Sequence, residues 1–214
     1  MQGEPGREAS DTVVLVEGGS DRLAVAALAV RLGHDLGAAG VRVVSMDGVT
    51  NLHRHLGEIA GRRLRPRVLG LFDAAEIAYV RRAVDDAGLG SAATLDELAA
   101  LGFFACDPDL EGELIRALGV ERMQQLLTEH GELARFRGFQ HQPAQRGRAT
   151  DAQLRRFLGT HAGRKARFAP LMVDAIEEPR IPAAMRALVE SAIGPSREVA
   201  GLSAARRRSD PPPR

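Results

Sequence analysis

Four acids stand where four apolar runs end: Glu17 after TVVLV, Asp47 after VRVVSM, Asp73 after RVLGLF and Asp107 after GFFAC. Asp21 follows Glu17 by one helical turn, and Asp109 and Glu111 follow Asp107 at alternate positions. A single such acid is explained by turn formation or helix capping. Several converging on one crevice repel one another unless protons or cations compensate them. Oxygen donors without His or Cys suit Mg2+ or Mn2+. Two such ions can clamp the attacking and leaving oxygens of a phosphodiester.

Other residue types offer less. The only cysteine, Cys106, excludes an intramolecular disulfide and a thiolate zinc cluster. Beside acids its thiol is raised and dull, so it reads as a small buried hydrophobe. His53 and His55, two apart on a helix, do not share a face. His141 sits in a polar loop. The only tyrosine, Tyr79, falls on the body of a helix, which disfavours a covalent tyrosyl step. One lysine, Lys165, stands among 29 basic residues. A position that stays lysine in so arginine-rich a chain is a candidate for needing an amine.

The elements that must position these residues are β-α-β units. Strands are expected at 12–16, 41–46, 67–72 and 102–106, as short apolar, largely β-branched runs of the kind buried on both faces of a parallel sheet. Helices are expected at 20–32, 50–62, 74–87 and 111–118. The first is expected to be capped by Ser20 and to bury a stripe of Leu23, Ala27 and Val30. Alternation of this kind implies a parallel α/β fold, whose ligands sit outside the carboxyl ends of the strands. From 120 onward the pattern is helical only, with segments near 120–129, 131–137, 150–160, 165–176 and 182–193. The expected organisation is an α/β core at 11–119 and a helical extension at 120–194 packed on it. Residues 1–10 and 195–214, the latter basic and proline-rich, are expected to be disordered tails.

The 214 residues carry a net charge of +1, so bulk charge singles out no partner. No apolar run reaches the ~20 residues that span a bilayer, and the amino terminus has no secretory pattern. A cytoplasmic location is expected. Arg135, Arg137, Arg146, Arg148, Arg155 and Arg156, with Phe136 and Phe139 among them, make a possible nucleic-acid track or an ordinary solvated face.

The segment VLVEGGSD (14–21) resembles the first motif of Toprim domains, found in topoisomerases, primases, recombination mediators and nucleases of the OLD (overcoming lysogenization defect) family. Three further segments fit: GLFDAAE (70–76) at the Asp-x-Asp position, CDPDLEGEL (106–114) at the acidic segment of OLD-type domains, and GRKARFA (163–169) at their late lysine-bearing helix. The resemblance spans residues 12–194. It implies a Toprim-like, four-stranded parallel sheet with a helical extension and a divalent-metal-dependent nuclease or nicking activity on DNA. It implies Glu17, Asp21, Asp73, Asp109 and Glu111 as metal ligands, with Glu76 and Asp107 as further candidates, Glu17 and Lys165 as catalytic residues, and Arg164 and Arg167 as nucleic-acid contacts. The second acid of Asp-x-Asp falls at Ala75, which cannot ligate. Full OLD nucleases carry an ABC-type ATPase. No GxxxxGK[ST] pattern occurs here, so such an ATPase is expected as a separate partner. The alternative is a catalytically weakened Toprim module that binds nucleic acid or that ATPase.

Overall fold

Thr12–Val16 is apolar apart from its first residue and wholly buried, because it forms β1 in the interior of a parallel sheet. The structure, a computed structural model, describes residues 12–63, 65–161 and 163–194. The expected tails at 1–10 and 195–214 lie outside the described residues. β1 is flanked by β2 (Val41–Ser45) and β3 (Arg67–Asp73), and β4 (Phe103–Cys106) extends the sheet in the order β2-β1-β3-β4. All pairings are parallel. The strands therefore point their carboxyl ends, and the acids that follow, to one edge.

Alternate residues of each strand feed two apolar layers. Val14, Val16, Leu69, Leu71, Phe104 and Cys106 face one, and Val13, Leu15, Phe72 and Phe103 the other. Gly70 is required in β3 because a Cβ there would lie 2.6 Å from the Phe103 ring. The second layer is covered by α2 (Leu52–Ala60), α3 (Ile77–Asp86) and α4 (Leu95–Ala100). Both α2 and α3 are entered through single 3-10 turns, Val49–Asn51 and Ala74–Glu76. α4 adds a helix to those expected. Its signal is present in the sequence as a capping box, in which Thr94 accepts from the Glu97 amide while Glu97 accepts from that of Thr94.

The first layer holds α1 (Gly19–Arg31), α5 (Leu110–Leu118), α6 (Val120–Glu129), α7 (Leu133–Gln140), α8 (Thr150–Leu158), α9 (Arg164–Ala175) and α10 (Ala183–Ile193). One apolar cluster runs from Val14 of β1 to Ala192 of α10, so the late helices complete this face of the sheet. α9 lies along α1, and an Arg31 guanidinium donates to the Val173 carbonyl. This contact corrects the expected face of α1. Ala24, Val25, Leu28 and Ala29 are buried, whereas Val30 is 74% exposed. The segment LAVAALAV is apolar all round and has no usable period, so the docked partner selects the face. Ser20 is also not the cap: that position is Gly18.

Candidate active site

The helix that follows β1 begins so abruptly that two acids are held one turn apart. Gly18 donates its amide to an Asp21 carboxylate oxygen at 2.7 Å, closing the first turn of α1. Gly18 has φ −138°, ordinary extended backbone. Its small size matters instead: a Cβ would sit 3.4 Å from that Asp21 oxygen, and one on Gly19 would meet nothing. Glu17 is fixed by its backbone, since its carbonyl accepts from the amide of Gly48, which has φ 114°. That loop holds Asp47 in the left-handed region at φ 56°, a conformation that aspartate tolerates better than most residues. The Ser45 hydroxyl donates to the Asp47 carboxylate.

Glu17, Asp21 and Asp47 meet Asp73, Glu111 and Lys165 around a cleft of about 230 Å3, with Gly18 and Ser20 at its rim. Asp73 ends β3 and precedes a helical turn, yet its side chain makes no capping bond. The bland explanation of a post-strand aspartate therefore does not apply to it. Glu111 is buried in the first turn of α5 and accepts from Lys165 Nζ at 3.0 Å. Lys165 reaches the cleft from the first turn of α9 because α9 is docked on α1. Helix packing thus bridges the 54 positions that separate Lys165 from Glu111 in sequence.

Negative charge exceeds positive charge here. Burial and the carboxylates of Glu17, Asp109, Asp21 and Glu111 push Asp73 up to about 7. Burial, outweighing the Gly18 amide, and then Glu111 and Glu17 push Asp21 up to about 6. Glu17 is raised by burial and by Glu76, against the opposing pull of Lys165. Burial disfavours the Lys165 ammonium, but Glu111, Asp109 and Asp21 together hold its pKa above the ordinary value. Acceptors are also left over. Among the described residues the Glu17 and Asp73 carboxylates accept no hydrogen bond, and Glu111 Oε1 is buried without a partner. Unfilled oxygen acceptors and uncompensated negative charge fit a hard divalent cation. No three of these acids are drawn tightly enough around one point to hold an ion as they stand.

The remaining expected site residues are placed unevenly. Asp109 borders the neighbouring groove rather than the cleft wall, and both its oxygens are engaged. Oδ1 caps α5 through the Gly112 amide at 2.8 Å, and Oδ2 pairs with Arg155 at 2.5 Å. Glu76 lies near enough to Glu17 to raise it but does not line the cleft. Ala75 is exposed. Asp107 is exposed and lies off the cleft, its amide donating to Glu113 and its carbonyl accepting from Arg116. Arg164 cannot lie on a surface: it is 7% exposed, paired with Glu132 and bonded to the Phe157 carbonyl. Arg167 leans on the same Glu132 at 3.7 Å. Phe136 and Phe139 are core residues, so they offer no stacking platform. Cys106 is buried, and burial raises its thiol further, ahead of the Glu113 and Asp73 carboxylates. Asp47, which stands outside the Toprim motifs, also lines the cleft, and its place at a strand end is the sequence signal for it.

Residues 10–74 match the family described as "Overcoming lysogenization defect protein-like, TOPRIM domain". No curated protein matches the chain. Solved structures do. The C-terminal region of the Xanthomonas campestris pv. campestris OLD protein superposes with TM-score 0.66 at 23% identity, covering 86% of this chain and 92% of that one. A second structure of that region gives TM-score 0.60 at 27% identity, with coverage of 86% and 94%. The C-terminal region of the Burkholderia pseudomallei OLD protein gives TM-score 0.59 at 20% identity, with coverage of 86% and 96%. No helix among the described residues is long and apolar enough to cross a membrane. Residues 10–74 thus resemble an OLD-like Toprim domain, and the chain resembles in fold, along most of its length, the C-terminal region of OLD proteins.

Proposed function

We propose that this chain is a divalent-metal-dependent hydrolase of nucleic-acid phosphodiesters, cutting or nicking DNA. The observation that carries this reading is the meeting of Glu17, Asp21, Asp73 and Glu111 with the only lysine of the chain at the carboxyl edge of the sheet. These four acids would hold Mg2+ or Mn2+, with Asp109 and Glu76 behind them. When bound, the ions supply Lewis-acid stabilisation of charge on the phosphate oxygens.

The chain's own residues do the rest. Glu111 holds the Lys165 ammonium at 3.0 Å, and the lysine side chain remains nearly half exposed, so it can meet a phosphate oxygen as negative charge grows there. A compact ammonium suits this crowded wall better than a planar guanidinium. Gly18 and Gly48 add no side chain to the cleft wall, which leaves room there for a phosphodiester backbone to approach. Coupling to a separate ABC-type ATPase belongs to the same proposal and is supported only by the resemblance to OLD proteins.

Supercoiled plasmid incubated with Mn2+ tests the reading. The wild type is expected to convert it to nicked or linear forms, and Glu17→Gln is expected not to. The competing reading, a binding module with weakened catalysis, has Ala75 and the loosely gathered acids in its favour. It predicts DNA binding with no cleavage by either protein.

A further inference from the structure

Beyond the acidic cleft, Lys165 also borders a second depression, a groove of about 560 Å3. Its walls are chemically unlike those of the cleft. Arg155 and Arg156 from α8 and Gln142 from the loop before it line the groove, and all three are exposed. Arg155 is aimed by Asp109, which receives both Nε at 2.6 Å and a terminal guanidinium nitrogen at 2.5 Å. The arrangement repeats that of Lys165 and Glu111. In both pairs a buried or nearly buried carboxylate of the α5 start holds a cation whose side chain stays 45% exposed. Arg156 has no carboxylate partner among the described residues. Three cations, Lys165, Arg155 and Arg156, thus line one groove, and Lys165 lines the cleft as well. Of the six arginines of this region, only Arg155 and Arg156 line it. Arg135 is spent on Glu132, and Arg137 on Gln124 and Gln140.

We propose that this groove carries the DNA strand away from the cleft, with Lys165 at the reacting phosphate and Arg155 and Arg156 on phosphates of adjoining nucleotides. The proposal rests on the reading of the cleft as a phosphodiester site. It also makes Asp109 a positioning residue for Arg155. Contacts of this type go to the backbone, so they confer affinity without sequence preference. Each phosphate contact also releases counterions, which gives a signature that a structural role lacks.

The test is fluorescence anisotropy of a labelled DNA oligonucleotide, single-stranded and duplex, in EDTA over a range of salt. Arg156→Ala is expected to weaken binding several-fold and to lower the slope of log affinity against log salt by about 0.7 for the single strand or about 0.9 for the duplex. Arg156 is exposed and has no carboxylate partner among the described residues, so this variant is expected to fold. Arg155→Ala is expected to behave likewise, with Arg155→Lys recovering the slope. Arg137→Ala, on the nearby α7, is expected to change neither quantity. Equal slopes for wild type and Arg156→Ala, or equal losses for Arg156→Ala and Arg137→Ala, overturn the proposal. Manganese calorimetry on the same proteins separates the two readings. If the wild type fails to bind Mn2+, the cleft reading falls, while the metal-free DNA measurements still decide the groove.

Discussion

Two buried clusters of charge lie on the same face of this sheet, and they are built in opposite ways. Around Glu132, one carboxylate meets Arg135 at 2.8 Å, Arg164 at 3.1 Å and Arg167 at 3.7 Å. The buried Arg164 also donates to a carbonyl and a hydroxyl, and its guanidinium stacks 3.9 Å from the Phe157 ring centre. Both oxygens of the Glu132 carboxylate are engaged. Around Glu111, several carboxylates share one lysine, an oxygen stays unpaired, and Asp21 and Asp73 are pushed up to about 6 and about 7, chiefly by burial. A cluster that satisfies itself holds the fold together. One that leaves charge unsatisfied carries a cost that a ligand can remove, and such costs concentrate at functional sites.

Removing a charge from the Glu132 cluster should therefore destabilise the fold, whereas neutralising a carboxylate of the cleft should stabilise it. The largest loss is expected at Arg164→Ala, which leaves Glu132 Oε2 without its buried partner while Arg135 and Arg167 still face Oε1, and should cost about 3 kcal/mol in urea denaturation. Adding Glu132→Leu should recover much of that loss, because the pair then leaves no unpaired charge. In the cleft, Lys165→Met should lower plasmid nicking by about 100- to 1,000-fold in single-turnover assays, and it should also destabilise the fold, because the buried Glu111 carboxylate loses its cation. Lys165→Arg should not restore the rate fully. Wild-type cleavage by Lys165→Met would remove the lysine from the chemistry.

A smaller and inverted effect is expected at Asp73. Both Asp21 and Asp73 hold protons in the folded state that the unfolded chain releases near pH 4. Between about pH 4 and pH 7 the native state thus binds more protons, and the contribution of these groups to stability falls as pH rises. Asp73→Asn should melt at a higher temperature than the metal-free wild type at pH 8, with the difference vanishing by pH 4. It should also lose cleavage. A lower melting temperature at pH 8 would show that Asp73 is satisfied, as Glu132 is. The smallest effect is expected at Asp47→Asn: Asp47 lines the rim and already accepts from Ser45, so a fall in nicking of less than about tenfold is expected.

The contrast between the clusters was only half legible in the sequence. The strands could be read because β1 is apolar nearly throughout, and the acids beyond them could be read because a parallel sheet aligns strand ends. Lys165 could be singled out because it is the one lysine. The partner of each charge could not be read, since partners depend on how helices dock. Arg164 and Lys165 are neighbours in sequence, yet one points into the core and the other into the cleft. Arg155 and Arg137 look alike as letters and differ by whether Asp109 stands within reach. The buried face of α1 was illegible for the same reason: an apolar helix takes its orientation from α9.

The central claim is that the cleft at the sheet edge is unsatisfied because it is made for a divalent cation. Calorimetric titration of Mn2+ into the wild-type protein and Glu17→Gln at pH 8, followed by melting of both proteins with the ion in excess, addresses it directly. The wild type is expected to bind the ion and to gain about 2.7 kcal/mol when free Mn2+ is a hundredfold above its Kd, and Glu17→Gln to bind it far more weakly. Absence of heat and of any melting shift in the wild type would contradict the claim.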